Sequence, residues 1–163
     1  MREAETVTDR TDGYVCRIAC EAEMNRRWDD EISRHAEKGN WITWKAEAIA
    51  NFRAGRSVPY YGILNGTVIC EATAVPDGDS AELCAFRTVR EHRGEGYFSR
   101  LMAFLLEDLR RKGFVRAVVG VEPGEPRNLA IYRHWGFTDL IRTGTETYPD
   151  GTVIDVLFYA KEL

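Results

Sequence analysis

The most constraining feature of this sequence is an amphipathic segment between two short apolar runs. Six apolar residues recur at helical spacing between Phe98 and Leu109, which predicts a helix with one buried face. Residues 83–89 before it and 117–121 after it have the composition of strands. A strand, a helix and a strand in this order form a crossover unit. We therefore expect the two strands to be parallel neighbours in one sheet.

The rest of the chain predicts further helices and strands. Met24, Trp28 and later apolar residues recur every four positions, which predicts a helix over 22–37. Gly39-Asn40 is expected to end this helix, and a second helix is predicted over 43–54. The remaining predicted elements are strands over 14–19, 58–64, 67–74, 138–143 and 153–161 and a short helix over 128–135.

Length and composition fit a single domain. The chain has 163 residues, and domains mostly contain roughly 100–200. Hydrophobic residues make up 44% and charged residues 29%, which excludes a disordered chain. We expect residues 1–12 to be a loose segment and residues 13–163 to form one domain. The elements together predict the α/β (α+β) class, with a mixed, mostly antiparallel central sheet, one parallel pair and helices on both faces.

Charge, apolar runs and cysteines exclude several classes of protein. A formal net charge of −4 argues against binding to nucleic acid, because such binders neutralise phosphates. No apolar run approaches the ~18 residues of a membrane span, and the polar residues 1–12 contain no secretory signal. Cytoplasmic localisation is therefore expected. Cys16, Cys20, Cys70 and Cys84 form no Cys-x-x-Cys pair, so we expect reduced thiols and no metal site.

A pair of glycines stands between the first strand of the crossover unit and its helix, in Arg93-Gly94-Glu95-Gly96-Tyr97-Phe98-Ser99. Glycines allow backbone amides to face a ligand without an intervening Cβ. The start of a helix adds unpaired N–H groups and a partial positive charge. This combination predicts a phosphate site, although the segment matches neither a Walker loop nor the dinucleotide fingerprint. A solvated loop is the alternative.

A second segment follows the second strand of the unit. Asn128 and Tyr132 are four residues apart in a predicted helix and therefore share one face. Gly136-Phe137 ends the segment. The alternative interpretations are that Asn128 caps the helix and that Tyr132 is a half-buried packing residue.

Together, the two segments resemble those of the GNAT superfamily of acetyl-coenzyme A-dependent N-acetyltransferases. Residues 93–98 occupy the main motif, Arg/Gln-x-x-Gly-x-Gly/Ala, with Phe98 in place of the final Gly/Ala. Asn128, Tyr132 and Gly136-Phe137 match the later segment in loose form. The resemblance covers about residues 58–163. It implies the GNAT fold, in which the parallel pair of strands is splayed.

The resemblance also implies an activity, namely transfer of an acetyl group from acetyl-coenzyme A to a primary amine by direct attack in a ternary complex. Tyr132 is then the proton donor to the departing thiolate. The acceptor is a small-molecule or peptide amine, no metal is required, and a homodimer is possible. A coenzyme A-binding or sensing module without turnover is the alternative, and an interaction protein that kept only the fold is a third. The expected cofactor-binding residues are Phe86, Thr88, Arg93, Gly94, Glu95, Gly96, Tyr97, Phe98, Ser99 and Asn128.

The attacking amine must also lose a proton, and several carboxylates are candidates for the base. Glu82 is favoured, because strand alternation predicts that it shares one face with Cys84 and Phe86. The resemblance allows a base on this strand. Glu122, Glu71 and Glu146 remain open as alternatives.

Aromatic residues are frequent where the resemblance implies the acceptor pocket, at the first two helices and the strand connections. Such a wall suits a cationic or an apolar amine, and packing in the core is the alternative for each residue. The negative net charge favours a cationic acceptor. The residues concerned are Trp28, Trp41, Trp44, Tyr60, Tyr61 and Tyr148.

Overall fold

A computed structural model describes residues 12–163 of the chain. The predicted loose segment over 1–12 lies outside the described residues, apart from Asp12, whose carboxylate accepts a hydrogen bond from Arg100 at 2.7 Å. The strands are β1 (Tyr14–Ile18), β2 (Val58–Leu64), β3 (Thr67–Asp77), β4 (Ser80–Thr88), β5 (Arg116–Val121), β6 (Asp139–Thr147) and β7 (Val153–Glu162). The α-helices are α1 (Glu21–Ser33), α2 (Gly39–Arg53), α3 (Tyr97–Arg111) and α4 (Pro126–His134).

The strands form one sheet in the order β1-β2-β3-β4-β5-β7-β6. Strands β4 and β5 are parallel, and the other five neighbouring pairs are antiparallel. The predicted crossover unit is therefore β4-α3-β5, and the predicted mixed, mostly antiparallel sheet is confirmed. The last two strands are the predicted antiparallel pair, although β7 rather than β6 lies next to β5.

The parallel pair separates after four residues of pairing. Pairing runs from Ser80–Arg116 to Leu83–Val119, while β4 continues to Thr88 and β5 to Val121. The register between β3 and β4 shifts just beyond this point, and Ala85 has a φ of +55°. An extra residue of this kind is a β-bulge, which bends its strand. The bulge therefore lies where β4 leaves β5.

The bulge also changes which side chains of β4 share a face. Leu83 is buried in the larger core, whereas Cys84 faces the side of the sheet that α1 and α2 cover. Without the bulge, Phe86 would follow Cys84 on that side, yet its ring packs against Phe98 on α3. The prediction that Glu82, Cys84 and Phe86 share one face is therefore wrong for Phe86. Alternation holds only until the extra residue.

The first two helices have different ends from those predicted. Helix α1 ends at Ser33 rather than at residue 37, and α2 begins at Gly39, which was expected to end the preceding helix. The His35 ring stacks on Trp41 with 3.9 Å between centroids. This contact joins the end of one helix to the start of the next. Because the contact between His35 and Trp41 involves two elements, helical periodicity alone does not predict it.

Helices lie on both faces of the sheet, as predicted, and each face has its own hydrophobic core. The larger core holds the apolar face of α3, including Leu101 and Leu105, against the sheet. The smaller core contains Met24 of α1 and Ile49 of α2. Burying each such aliphatic side chain contributes about 1.5–3 kcal/mol. This packing fixes the positions of the helices on the sheet, and with them the positions of their N-terminal ends and of the loops between them.

Tyr14 on β1 fixes the start of α3. Its hydroxyl donates a hydrogen bond to the carbonyl oxygen of Tyr97 at 2.8 Å, and the two rings lie 4.6 Å apart. Its side chain passes over Gly62 on β2, where a Cβ atom would lie 2.1 Å from the Tyr14 hydroxyl oxygen. Only glycine leaves room for this arrangement. The first turn of α3 is thus attached to β1 through Tyr14, and Gly62 on β2 leaves the space that the Tyr14 side chain needs.

Candidate active site

The loop before α3 presents backbone amides to open space. Gly94 and Gly96 have φ values of +77° and +85°, a region that residues with a Cβ rarely adopt. A Cβ built on either glycine meets no atom within 4 Å. Gly96 caps α3, and the amide of Arg100 bonds to its carbonyl oxygen. The N–H groups of the helix's first residues therefore have no acceptor within the helix.

A cavity of about 520 Å³ lies beside this loop. Its volume is that of a site for a cofactor-sized ligand. The N-terminal turn of α3 forms one wall and α4 forms another. Of the predicted cofactor residues, it is lined by Thr88, Arg93, Gly94, Gly96, Tyr97, Phe98 and Ser99, whereas Phe86, Glu95 and Asn128 are not in the lining.

Phe98, the departure from the family motif, packs against α4 instead of blocking the loop. Its ring stacks on Trp135 with 5.5 Å between centroids and meets Phe86 edge-on at 5.5 Å.

The family motif pointed to Asn128 and Tyr132 on α4, but other residues of this helix line the cavity. They are Ala130, Ile131, His134 and Trp135, and their spacing of four within each pair is the signal that could have found them.

Two polar contacts shape the loop. Arg93 donates from Nε to the carbonyl oxygen of Thr88 at 3.1 Å, which joins the loop to the end of β4. The Nδ1 atom of His92 lies 3.0 Å from a carboxylate oxygen of Glu95. Arg93 thus fixes the backbone that carries the amides. The carboxylate of Glu95 is bound to His92, and Glu95 does not line the cavity.

Tyr132 lies half-buried on α4 in an aromatic cluster. Its ring centroid is 5.6 Å from that of Phe86 and 6.4 Å from that of Phe137. Burial raises the pKa of its hydroxyl above the ordinary value, so the group keeps its proton at neutral pH.

Asn128 is exposed, and the residue that caps α4 is Glu125. The alternative that Asn128 caps this helix is therefore wrong.

The four candidate carboxylates occupy different surroundings. Glu82 is half-buried, and its nearest cation is Arg142 at 3.8 Å. Glu122 follows the last residue of β5 and accepts a hydrogen bond from Tyr148 at 2.7 Å. Both oxygens of Glu71 are bound by one arginine, and Glu146 is exposed on β6. Glu82 and Glu122 are therefore the carboxylates nearest the point at which β4 and β5 separate.

A second cavity, of about 340 Å³, lies on the opposite face between the sheet and the first two helices. Three of the aromatic residues predicted for the acceptor pocket line it, namely Trp28, Trp41 and Tyr61. Cys84 and the bulge residue Ala85 also line it, so the cavity reaches the place where β4 leaves β5. We call it the α1–α2 cavity.

The other three predicted aromatic residues lie elsewhere. Trp44 is exposed and packs against Trp41 with centroids 5.2 Å apart. Tyr60 is fully buried on the α3 face, where its hydroxyl donates to Asp108. Tyr148 lies beyond β6, bound to a carboxylate at the end of β5. For Tyr60, packing in the core is the correct interpretation.

A chain of charged side chains forms one end of the α1–α2 cavity. Arg27 binds Glu71 through Nε at 3.1 Å and Glu31 through Nη1 at 2.8 Å. Glu31 also pairs with Arg87 at 2.9 Å and with His35 at 3.3 Å. Burial alone would raise the pKa of Glu31, but hydrogen bonds from these partners outweigh it and hold the pKa at about 2. Sequence motifs gave no signal for this network.

The fold and the glycine loop at the start of α3 are those that the resemblance implied. The model of the acetyltransferase (GNAT) family matches residues 16–137. This match covers most of the chain, so the chain belongs to this family. A comparison of the sequence with curated proteins gives no match.

Solved structures of acetyltransferases have the same fold. The ribosomal-protein-S18-alanine N-acetyltransferase from Escherichia coli is 17% identical, with a TM-score of 0.70 over 91% of this chain and 93% of that one. A ribosomal L7/L12 alpha-N-protein acetyltransferase in complex with coenzyme A is 16% identical, with a TM-score of 0.72 over 98% of each chain. A spermidine N-acetyltransferase chimera that includes the Vibrio cholerae enzyme is 13% identical, with a TM-score of 0.71 over 92% and 96%.

Among residues 12–163, no helix has the length and apolar composition needed to cross a membrane. The same residues contain no group of three or more His, Cys, Asp or Glu side chains arranged to hold a metal ion.

Proposed function

We propose that this chain transfers an acetyl group from acetyl-coenzyme A to a primary amine by direct attack in a ternary complex. The observation that carries the proposal is the 520 Å³ cavity, whose wall contains the glycine loop and the unpaired amides at the start of α3. Such a site suits a pyrophosphate. The match to the acetyltransferase (GNAT) family supports the same ligand. Acetyl-coenzyme A supplies the acyl group in activated form, as a thioester.

The chain's own residues have distinct roles in this proposal. The amides from Gly94 to Ser99 bind the pyrophosphate, and Arg93 holds their loop against β4. The backbone of Phe86 lies beyond the last pair that β4 makes with β5, so its polar groups suit the pantetheine arm. Tyr132 holds a proton at its hydroxyl for the departing thiolate, a role that its raised pKa supports.

For the base, we propose Glu82 first and Glu122 second. Glu82 pairs with Val75 and is two residues from Cys84, which lines the α1–α2 cavity. Alternation in this unbulged part of β4 puts Glu82 on the cavity's side of the sheet. Glu122 adjoins the open end of β5. The acceptor is a small-molecule or peptide amine that approaches from the α1–α2 cavity.

We expect Gly96→Val to weaken binding of acetyl-coenzyme A by about tenfold or more, which corresponds to ~1.4 kcal/mol. Valine disfavours the φ of +85° at this position, and its side chain would enter the space that the phosphates need. Titration calorimetry measures the affinity. Gly113→Val is the matched control, since Gly113 has a φ of +90° and lies at the other end of α3. Equal affinity of the two variants would contradict the phosphate site.

We expect Glu82→Gln to lower kcat/KM by roughly 10²-fold, within the usual range for general-base catalysis. Glutamine keeps the size of the side chain, but its amide is too weak a base to take the proton of the amine. Glu146→Gln, an exposed carboxylate on β6, is the control and should behave like the wild type. If Glu122→Gln alone lowers kcat/KM by this amount, Glu122 is the base.

A coenzyme A sensor without turnover is the second candidate function. A screen of amines with acetyl-coenzyme A, with free thiol as the readout, separates the two. Thiol release with at least one amine supports the enzyme. Tight binding of acetyl-coenzyme A without thiol release supports the sensor, and the absence of binding supports an interaction protein.

Localisation and assembly complete the proposal. All four cysteines are free thiols, which suits the reducing cytoplasm that we propose. Strand β6 is at the edge of the sheet, and an edge strand can pair with another chain. A homodimer through β6 and β7 therefore stays a prediction, to be measured as the mass of the protein in solution.

A further inference from the structure

Both carboxylates that line the α1–α2 cavity are paired with arginines. Glu71 is bound through both oxygens by Nε and Nη2 of Arg27, at 3.1 and 3.4 Å. One oxygen of Glu31 receives Arg27 and Arg87, and the other contacts His35. These two are the acidic residues of the lining. Each carboxylate of the lining is therefore already neutralised by an arginine, and none is left to bind the cation of a ligand.

Arg87 is bound less completely than its neighbours. Its Nη1 atom lies 2.9 Å from Glu31, and within residues 12–163 its Nε and Nη2 atoms donate no hydrogen bond. Its side chain is 35% exposed, compared with 11% for that of Arg27. A guanidinium has five donors in a planar fork that matches a carboxylate. Arg87 is thus the cation of this lining with donors to offer to a ligand.

The position of Arg87 relates these donors to the reaction. It lies two residues after the bulge residue Ala85, about 6–7 Å along the strand. Both residues line the α1–α2 cavity, and Trp28 and Trp41 form an aromatic wall of the same cavity. An acceptor whose amine reaches the bulge would therefore have its next few atoms near the guanidinium and the indole rings.

From this arrangement we infer that the acceptor is a primary amine that carries a carboxylate, and that Arg87 binds this carboxylate. The inference rests on the proposed acetyl transfer and names the class of acceptor for the same site. Charge-assisted pairing with a guanidinium is among the stronger hydrogen-bonding interactions in proteins. The net charge of the whole chain favours a cationic acceptor, but the local charges of the cavity decide which group is bound there.

The carboxylate has two sources, which an acceptor panel separates. One arm compares free amino acids with their carboxamides, so that only the α-carboxylate differs. The other arm compares C-terminally amidated peptides with Glu or Gln as the second residue. Spermidine is included as an acceptor without a carboxylate. Thiol release gives kcat/KM, and titration of each acceptor into the complex of the protein with coenzyme A gives an affinity that does not depend on turnover.

We expect that, in at least one arm, the acceptor with the carboxylate has a kcat/KM and an affinity about tenfold or more above those of the matching amide acceptor. Arg87→Gln should abolish this preference, and Arg87→Lys should retain part of it, because the charge remains without the fork. Glu31 keeps Arg27 and His35 in either variant, so the fold should persist, which a thermal melt checks. Arg111→Gln, an exposed arginine at the far end of α3, is the control.

The outcomes distinguish failure of this inference from failure of the proposed function. Turnover of amides or spermidine at rates equal to or above those of the carboxylates would overturn the inference and leave acetyl transfer standing. An unchanged preference in Arg87→Gln would do the same. Thiol release with none of the acceptors would overturn the proposed function, and the titrations would then decide separately whether Arg87 binds a carboxylate.

Discussion

Tyr132→Phe is expected to lower kcat by roughly 10²–10⁴-fold, the range for loss of general-acid catalysis. The substitution removes the hydroxyl and keeps the ring, which contacts Phe86 and Phe137. Stability should therefore change little, because the volume of the side chain is conserved. Binding of acetyl-coenzyme A should also persist, since Tyr132 is not in the lining of the cavity beside the glycine loop.

Steady-state kinetics on an accepted amine, a coenzyme A titration and a thermal melt test this prediction together. Tyr132→Leu provides the comparison, because it removes the ring as well as the hydroxyl and should lower the melting temperature. A wild-type kcat in the Phe variant would refute the role of Tyr132 as the acid. A melting temperature that falls equally in both variants would show that the hydroxyl itself is structural.

Gly62→Ala is expected to destabilise the protein by about 2–3 kcal/mol, as overpacking of a core does. The added Cβ would lie 2.1 Å from the hydroxyl oxygen and 2.8 Å from the Cζ atom of Tyr14. Relief requires the Tyr14 side chain to move, which breaks its hydrogen bond to Tyr97 at the start of α3. Weaker binding of acetyl-coenzyme A should accompany the loss of stability, because α3 carries the amides of the phosphate site.

Urea unfolding measures the loss, and a double-mutant cycle assigns it. Tyr14→Phe removes the nearest atom, so it should cost less stability in the Gly62→Ala background than in the wild type. Gly124→Ala is the control, since a Cβ there meets nothing within 4 Å, and its effect should stay within about 0.5 kcal/mol. Additive effects of the two substitutions would show that Tyr14 is not the obstacle.

Much of the fold could be predicted from the sequence because its signals are local. The apolar spacing from Phe98 to Leu109 specifies one buried face of α3. The glycines before α3 were recognisable for the same reason. Both adopt positive φ values that follow from the lack of a Cβ.

The β4 bulge had no such signal. Ala85 has a positive φ although nothing about alanine predicts one, and its conformation depends on the pairing of β4 with β3. One extra residue was enough to move Phe86 to the other face of the sheet from Cys84. The predicted common face of Glu82, Cys84 and Phe86 failed at this point, because alternation assumes an unbroken strand.

The sequence by itself therefore determined the crossover unit, the loop that suits a phosphate and the family of this protein, since each can be recognised from patterns of residues that are close in the sequence. The tertiary structure decided which side chains share a cavity. Arg27 on α1 pairs with Glu71 on β3, and Glu31 on α1 pairs with Arg87 on β4. Both pairs exist only once α1 packs on the sheet. The burial of apolar faces brings together charged side chains that are distant in the sequence. The distances between these side chains therefore follow from the packing of α1 on the sheet, and no local pattern in the sequence predicts them.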